Sequence, residues 1–127
     1  MAEPLPDIAN RVAVMREMAL DAQDRGYHFV FVRIPESLGP LDRGDKYEDP
    51  LISALADACL GEVTGGGQQL GEGNSIVYCG IDVVLIDRIR GLEFLRTTLR
   101  RLSAPPGTVI EEFVPEFQEH PVGELDD

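Results

Sequence analysis

The sequence predicts a single α+β domain, and three observations carry that prediction. The chain has 127 residues, which is the usual size of one domain. Apolar residues make up 43% of it, enough to build a globular core. Segments with helical spacing of apolar residues alternate with short runs rich in β-branched and aromatic residues. Together these features predict one core built from helices and strands in mixed order.

The first half of the chain predicts a helix, a strand and a second helix. Apolar residues recur at spacings of three and four over residues 7–25, and Gly26 follows where a helix commonly ends. Residues 27–34 are aromatic and β-branched and stop before a proline, as a strand does. After a polar loop over 35–48, Asp49 and the proline behind it predict the start of the second helix.

The second half predicts two strands, a third helix and a last strand. A short strand at 62–64 runs into three glycines, and the strongest strand follows over 75–86. Asp87 is placed to cap a third helix, in which leucines recur at spacings of three, four and three. The last strand covers 108–111. From its final glutamate onward the chain carries seven acidic residues and no basic one, so the tail beyond Pro115 is predicted to be loose.

This order, one helix followed by β-α-β-β-α-β, is the split βαβ arrangement of ferredoxin-like plaits. We therefore predict an antiparallel four-stranded sheet with two helices on one face and an additional N-terminal helix. The single domain divides into the N-terminal helix (1–26), the plait (27–113) and the acidic tail (114–127). The glycine-rich second strand and the charged fourth strand suit the edges of such a sheet.

Two short runs of the chain resemble known proteins. The runs at 60–67 (LGEVTGGG) and 104–111 (APPGTVIE) look like segments of small uncharacterised bacterial plait proteins. The resemblance covers residues 27–113 and implies the ferredoxin-like fold. It implies no catalytic residue, because the glycines and prolines of both runs mark turns and the ends of helices and strands.

The charge of the chain limits its partners. Eleven basic residues against 23 acidic ones give a formal net charge of −12. A surface this negative repels phosphate backbones, so no nucleic acid partner is expected, and a basic protein or a metal-bearing ligand fits better. The first residues lack the pattern of a signal peptide, and no apolar run approaches the roughly 18 residues of a membrane span. We expect a cytoplasmic protein with no membrane partner.

The most informative pattern is an apolar second face of the predicted sheet. On the strand at 75–86, one set of alternate residues is wholly apolar and should face the two plait helices. The opposite set would meet water in an open plait, yet it is mostly apolar too. This candidate ligand or interface face is marked by Tyr27, Phe29, Phe31, Tyr78, Asp82 and Val84. The sequence leaves open whether the N-terminal helix, a second subunit or a ligand covers it.

The third predicted helix carries five of the eleven basic residues. Arg88, Arg96 and Arg100 form a candidate anion or partner patch in an otherwise negative protein. The alternative is a solvated outer face whose arginines pair in part with the acidic tail.

Residues that could carry catalysis form no recognised pattern. The glycines at 65–67 lack the last glycine and the following helix of a dinucleotide-binding loop, so a bulged edge strand is favoured. His28 and Cys79 fall several residues apart along neighbouring strands and should not touch. The acidic residues around the 35–48 loop lack the spacing of a calcium-binding loop. We predict no catalytic residue, no metal site and no cofactor.

These observations favour a non-catalytic interaction or regulatory domain over an enzyme. One concrete form is an immunity or antitoxin-like protein whose acidic surface neutralises a basic protein partner. The alternative is a small-molecule-binding or enzymatic plait dimer, in which two sheets enclose a pocket and Asp82 and Tyr78 supply its polar groups. The first hypothesis requires a protein partner, and the second requires self-association.

Overall fold

The computed structural model describes residues 6–70 and 76–123. In chain order the elements are helix α1 (Pro6–Asp24), strand β1 (His28–Ile34), single-turn helix α2 (Pro40–Arg43), helix α3 (Asp49–Ala58), strands β2 (Gly61–Leu70) and β3 (Ile76–Leu85), helix α4 (Arg88–Arg101), and strands β4 (Val109–Glu112) and β5 (Gln118–Pro121). A π-helical segment, Gly44–Glu48, joins α2 to α3. None of the described helices is long and apolar enough to cross a membrane.

The five strands form one antiparallel sheet in the order β2-β3-β1-β4-β5. The predicted α+β class is confirmed, and the sheet has one strand more than the four expected. β2 continues through the glycines at which the sequence predicted it to end, with a bulge between Val63 and Gly65. The preference for a bulged edge strand over a dinucleotide-binding loop is therefore confirmed.

The main core lies between the sheet and the helices α3 and α4. Its fully buried members include Val30, Val32 and Ile34 of β1, Cys79, Ile81, Val83 and Leu85 of β3, Leu51 and Leu55 of α3, and Leu95 and Leu99 of α4. The alternate β3 residues predicted to face the helices do so over residues 79–85. Each large aliphatic side chain buried here stabilises the fold by about 1.5–3 kcal/mol.

The segment over 35–48 is not the polar loop that the sequence predicts. Its helical part buries Tyr47 completely, and the Tyr47 hydroxyl donates to the carboxylate of Glu36. Lys46 donates to the same carboxylate at 2.9 Å. A buried hydroxyl needs such a partner. The segment escaped prediction because isolated apolar residues, rather than a periodic stripe, anchor it.

The prediction that the chain is loose beyond Pro115 is wrong. β5 pairs with β4, and Val122 behind it is fully buried. The Val122 amide donates to the Thr108 carbonyl at 2.9 Å, and Nε of Arg100 donates to the Val122 carbonyl at 2.7 Å. The free side of β4 gives this segment a hydrogen-bond ladder that its polar side chains do not reveal. The acidic end, 124–127, lies outside the described residues.

The helix α1 covers part of the second face of the sheet, over β1 and the residues that follow β4. Ala19 and Ala22 of α1 form a second, smaller core with Phe29 and Phe31 of β1 and with Phe113 and Val114 behind β4, and Val12 and Met15 pack at its margin. Of the three possibilities that the sequence leaves open, the N-terminal helix is therefore the cover over the β1 side of this face, and the β3 side lies beside the helix.

Candidate binding groove beside the N-terminal helix

Hydrogen bonds from two arginines fix α1 on the β4 side of the sheet. Arg11 makes two hydrogen bonds to Glu111, at 2.7 and 3.2 Å. Arg16 donates to the carbonyl of Phe113 at 2.8 Å. These contacts hold α1 toward β4 and leave a groove between α1 and the strands β3 and β2. We call this concave surface the α1 groove.

The α1 groove consists of two depressions, and together they contain all six residues predicted for the second face. The wide depression, of about 340 Å³, is lined by Tyr27, Phe29 and Val84 among others, and the narrow depression, of about 200 Å³, by Phe31, Tyr78 and Asp82 among others. The strand register explains this grouping, because Phe29 lies opposite Val84 and Phe31 lies opposite Asp82. Phe29 and Phe31 form a buried floor, whereas Tyr27 is 40% exposed.

Asp82 is the polar centre of the narrow depression. Within the part of the chain that the structure describes, no donor and no cation contacts its carboxylate. Burial raises the pKa of this carboxyl, and the negative charge of Glu48 raises it further. Its environment therefore lacks the positive charge that a half-buried carboxylate ordinarily acquires.

The cations that line the groove are already paired. Arg11 is bound to Glu111 and lies over the rings of Phe31 and Tyr78, at 5.2 and 6.0 Å from their centroids. Although burial acts to lower it, the pKa of Arg11 is raised by the hydrogen bond and charge of Glu111. Arg25 pairs with Asp21 at 3.3 Å. The groove is therefore left with unbalanced negative charge.

Glu62 of β2 adds to that negative charge, and the sequence did not identify it. It lines the wide depression, opposite Val84 on the neighbouring strand, and in the described chain it has no ion pair. Gly67 lines the narrow depression from the same strand. Gly67 was missed because the predicted strand ended before the glycines, and Glu62 was missed because the pairing of this strand with β3, which places Glu62 beside Val84, was not predicted. The observation that could have revealed them is the lack of any proline from the start of β2 through Gly67.

Two of the three residues of the predicted arginine patch make contacts within the chain. Arg88 makes two hydrogen bonds to Glu112, at 2.6 and 2.9 Å, and Arg100 binds the Val122 carbonyl. Arg96 lies beside Arg88 and His120 around a depression of about 320 Å³, which also contains Glu93. The contacts of Arg88 and Arg100 with the chain beyond Glu111 agree with the alternative interpretation of this patch.

Glu112 is the centre of a cluster that the sequence did not predict. Its side chain is 2% exposed and accepts hydrogen bonds from His28 Nε2 at 2.6 Å, from His120 Nε2 at 2.7 Å and from Arg88. Burial acts to raise the pKa of Glu112, but these three donors hold it at about 2. Because an ionised carboxylate only accepts hydrogen bonds, each imidazole must carry its proton on Nε2. No sequence spacing links residues so far apart.

The described residues hold no cluster of three or more His, Cys, Asp or Glu side chains arranged to bind a metal ion. His28 and Cys79 do not meet, because His28 pairs with Leu85 at one end of the strand pair and Cys79 with Ile34 at the other. The Cys79 thiol is fully buried, and this burial raises its pKa. A buried thiol with a raised pKa is a poor nucleophile.

Comparison of the chain with protein-family models, with curated proteins and with solved structures gave no match.

Proposed function

We propose that this chain is a non-catalytic interaction domain that binds a basic segment of a partner protein in the α1 groove. The carboxylate of Asp82 carries the proposal, because it is half-buried, has no cation in the described chain and faces a depression lined by aromatic rings. A lysine or arginine side chain supplies both the missing charge and a flat or slender group that packs on aromatic faces.

The charge of the whole molecule supports a basic protein as the partner. A formal net charge of −12 attracts a basic protein over long range and repels nucleic acid. Glu62 extends the negative charge of the groove along β2. A cytoplasmic immunity or antitoxin-like role, in which the chain neutralises a basic partner, is the concrete form of this proposal.

We also propose an assignment of the fold. The strands β2-β3-β1-β4 follow the order of the split βαβ arrangement, and α3 and α4 contribute to one core against the sheet. We interpret this unit as a ferredoxin-like plait to which α1 and β5 are added. Because α1 lies on the second face, it occupies the surface that a sheet-to-sheet dimer would use.

The test is binding of a short synthetic peptide of alternating lysine and valine, measured by calorimetry at low salt. We expect the wild-type chain to bind it and Asp82→Asn to weaken binding about tenfold, which corresponds to about 1.4 kcal/mol. Asp57→Asn is the matched control, because Asp57 is an exposed residue of α3 and the substitution also removes one negative charge.

Two results would contradict the proposal. One is that the lysine–valine peptide does not bind the wild-type chain, or binds no better than a matched glutamate–valine peptide. The other is an equal loss of affinity in Asp82→Asn and Asp57→Asn, which would mean that only net charge matters and that the α1 groove is not the site.

A further inference from the structure

We propose that the basic partner segment binds as an added β-strand on the free edge of β2, with one long cationic side chain reaching across β2 to Asp82. This inference rests on the proposed function and adds the manner of binding. It names the class of ligand as an extended segment with lysine or arginine at alternate positions.

The two edges of the sheet differ in how well they resist an added strand. β5, at one edge, has four residues and includes Pro121 and the charged Glu119. Short length, proline, charge and bulges are among the devices by which edge strands avoid pairing with other chains, and β2 has one bulge, between Val63 and Gly65. β2, at the other edge, has ten residues with no proline and no lysine, and in the described chain no strand pairs with its outer side. Arg43 Nη1 donates to the Gly67 carbonyl at 3.1 Å, so the added strand pairs with the residues before Gly67.

Two glycines of β2 leave a path from this edge to Asp82. A Cβ at Gly65 would lie 3.1 Å from Oδ2 of Asp82, so this residue passes directly beside the carboxylate. A Cβ at Gly67 would meet nothing within 4 Å, and its φ is not positive, so no contact within the described chain requires a glycine there. Glycine inside a strand commonly marks a place where another backbone or a ligand approaches closely.

The distance across β2 suits a lysine or arginine side chain. Neighbouring strands are about 4.8 Å apart, so an added strand would lie roughly 9.6 Å from β3, which carries Asp82. The four-carbon stem of lysine together with the aspartate side chain spans that gap when no side chain of β2 stands between them. Glu62 lies on the same face of β2 and offers a second carboxylate to an alternate side chain of the added strand.

A side chain placed in the path across β2 tests whether a cationic side chain reaches Asp82 by this route, without removing a charge. Gly67→Val fills the narrow depression with a β-branched residue that suits a strand, so we expect it to fold at least as stably as the wild type. It should nevertheless bind the lysine–valine peptide about tenfold more weakly. Gly44→Ala is the control, because Gly44 also has nothing within 4 Å of a Cβ and has φ −61°. It should leave the affinity unchanged.

Backbone methylation of the peptide tests strand pairing itself. In a strand the N–H groups of alternate residues point to the same edge, so methylation of all lysine nitrogens and methylation of all valine nitrogens block opposite edges. We expect one methylated peptide to lose binding and the other to keep it, with the same charge on both. Binding of the unmodified lysine–valine peptide to the wild-type chain should also slow hydrogen exchange of the β2 amides.

The inference and the proposed function fail separately. If Asp82→Asn weakens binding but Gly67→Val and both methylated peptides bind as well as their parents, strand addition is wrong and the groove still binds a basic segment. If the unmodified peptide does not bind the wild-type chain, both are wrong.

Discussion

Two carboxylates of the same sheet, Glu112 and Asp82, have opposite surroundings. Glu112 receives hydrogen bonds from two histidines and one arginine, and its pKa is held at about 2. The carboxylate of Asp82 has no hydrogen-bond or ion-pair partner in the described chain, and its pKa is raised by burial and by the charge of Glu48. The first carboxylate is stabilised in its charged form by the fold, and the second is destabilised in that form.

From this difference we infer a structural role for Glu112 and a binding role for Asp82. Satisfied buried charges connect elements, and Glu112 connects β4 to β1, to β5 and to the start of α4. A carboxylate that is partly withdrawn from water with no cation beside it is costly to ionise, so the half-buried Asp82 needs an explanation. For Asp82 the explanation that we propose is a cation supplied by another molecule.

Replacing Glu112 should have the largest effect on stability. Glu112→Gln keeps the shape but removes the charge that three donors share, and we expect a loss of about 2–3 kcal/mol in the free energy of unfolding. Chemical denaturation measures it. The control is Glu116→Gln, an exposed position with no ion pair in the described chain, which should stay within about 0.5 kcal/mol of the wild type. Equal denaturant midpoints for Glu112→Gln and Glu116→Gln would contradict a structural role for the cluster around Glu112.

The contribution of Glu112 to the free energy of unfolding should also depend on pH in the acid range. The pKa of Glu112 is lowered from 4.5 to about 2, so its charge contributes stability that is complete above about pH 4.5 and is lost as the pH falls through 2. This contribution is about 3 kcal/mol. In Glu112→Gln it is absent, so the stability curves of wild type and variant should converge between pH 4.5 and 2. Curves that stay parallel in this range would assign the acid sensitivity to other groups.

Replacing Asp82 should have the smallest effect on stability, with the opposite sign. Because its pKa is raised on folding, the charged form costs stability above its unfolded pKa, and protonation at lower pH removes that cost. Asp82→Asn should therefore raise Tm at neutral pH by a few degrees at most, measured by thermal unfolding. A clear fall in Tm would mean that the carboxylate has a stabilising partner, and would undermine the comparison with Glu112.

The sequence predicted what depends on local periodicity. Alternation along β1 and β3 identified both faces of the sheet, and all six residues predicted for the second face line the α1 groove. The leucine spacing of α4 identified Leu95 and Leu99 as buried residues. These features follow from helix and strand geometry, which repeats every few residues and can be counted in one chain.

The sequence could not predict contacts that join distant segments through polar groups. The sequence of β5 is QEHP, which has no alternation of apolar residues. This strand forms because β4 offers it an edge with which to pair. His28, Glu112 and His120 meet through the sheet register. Glu111 and Glu112 look like charges of an exposed edge, yet both are buried under partners that β5, α1 and α4 supply.

The attachment of α1 to β4 also determines when, during synthesis of the chain, α1 can dock fully on the sheet. Arg11 and its partner Glu111 are 100 positions apart in the chain, so a ribosome releases the helix long before the strand that holds it. At roughly 5–20 residues per second, that interval lasts about 5–20 seconds. During this time α1 lacks the partners of Arg11 and Arg16, and only its packing of Ala19 and Ala22 on the aromatic residues of β1 is available to hold it. Completion of β4 is therefore the step that supplies the hydrogen bonds which fix α1 on the sheet.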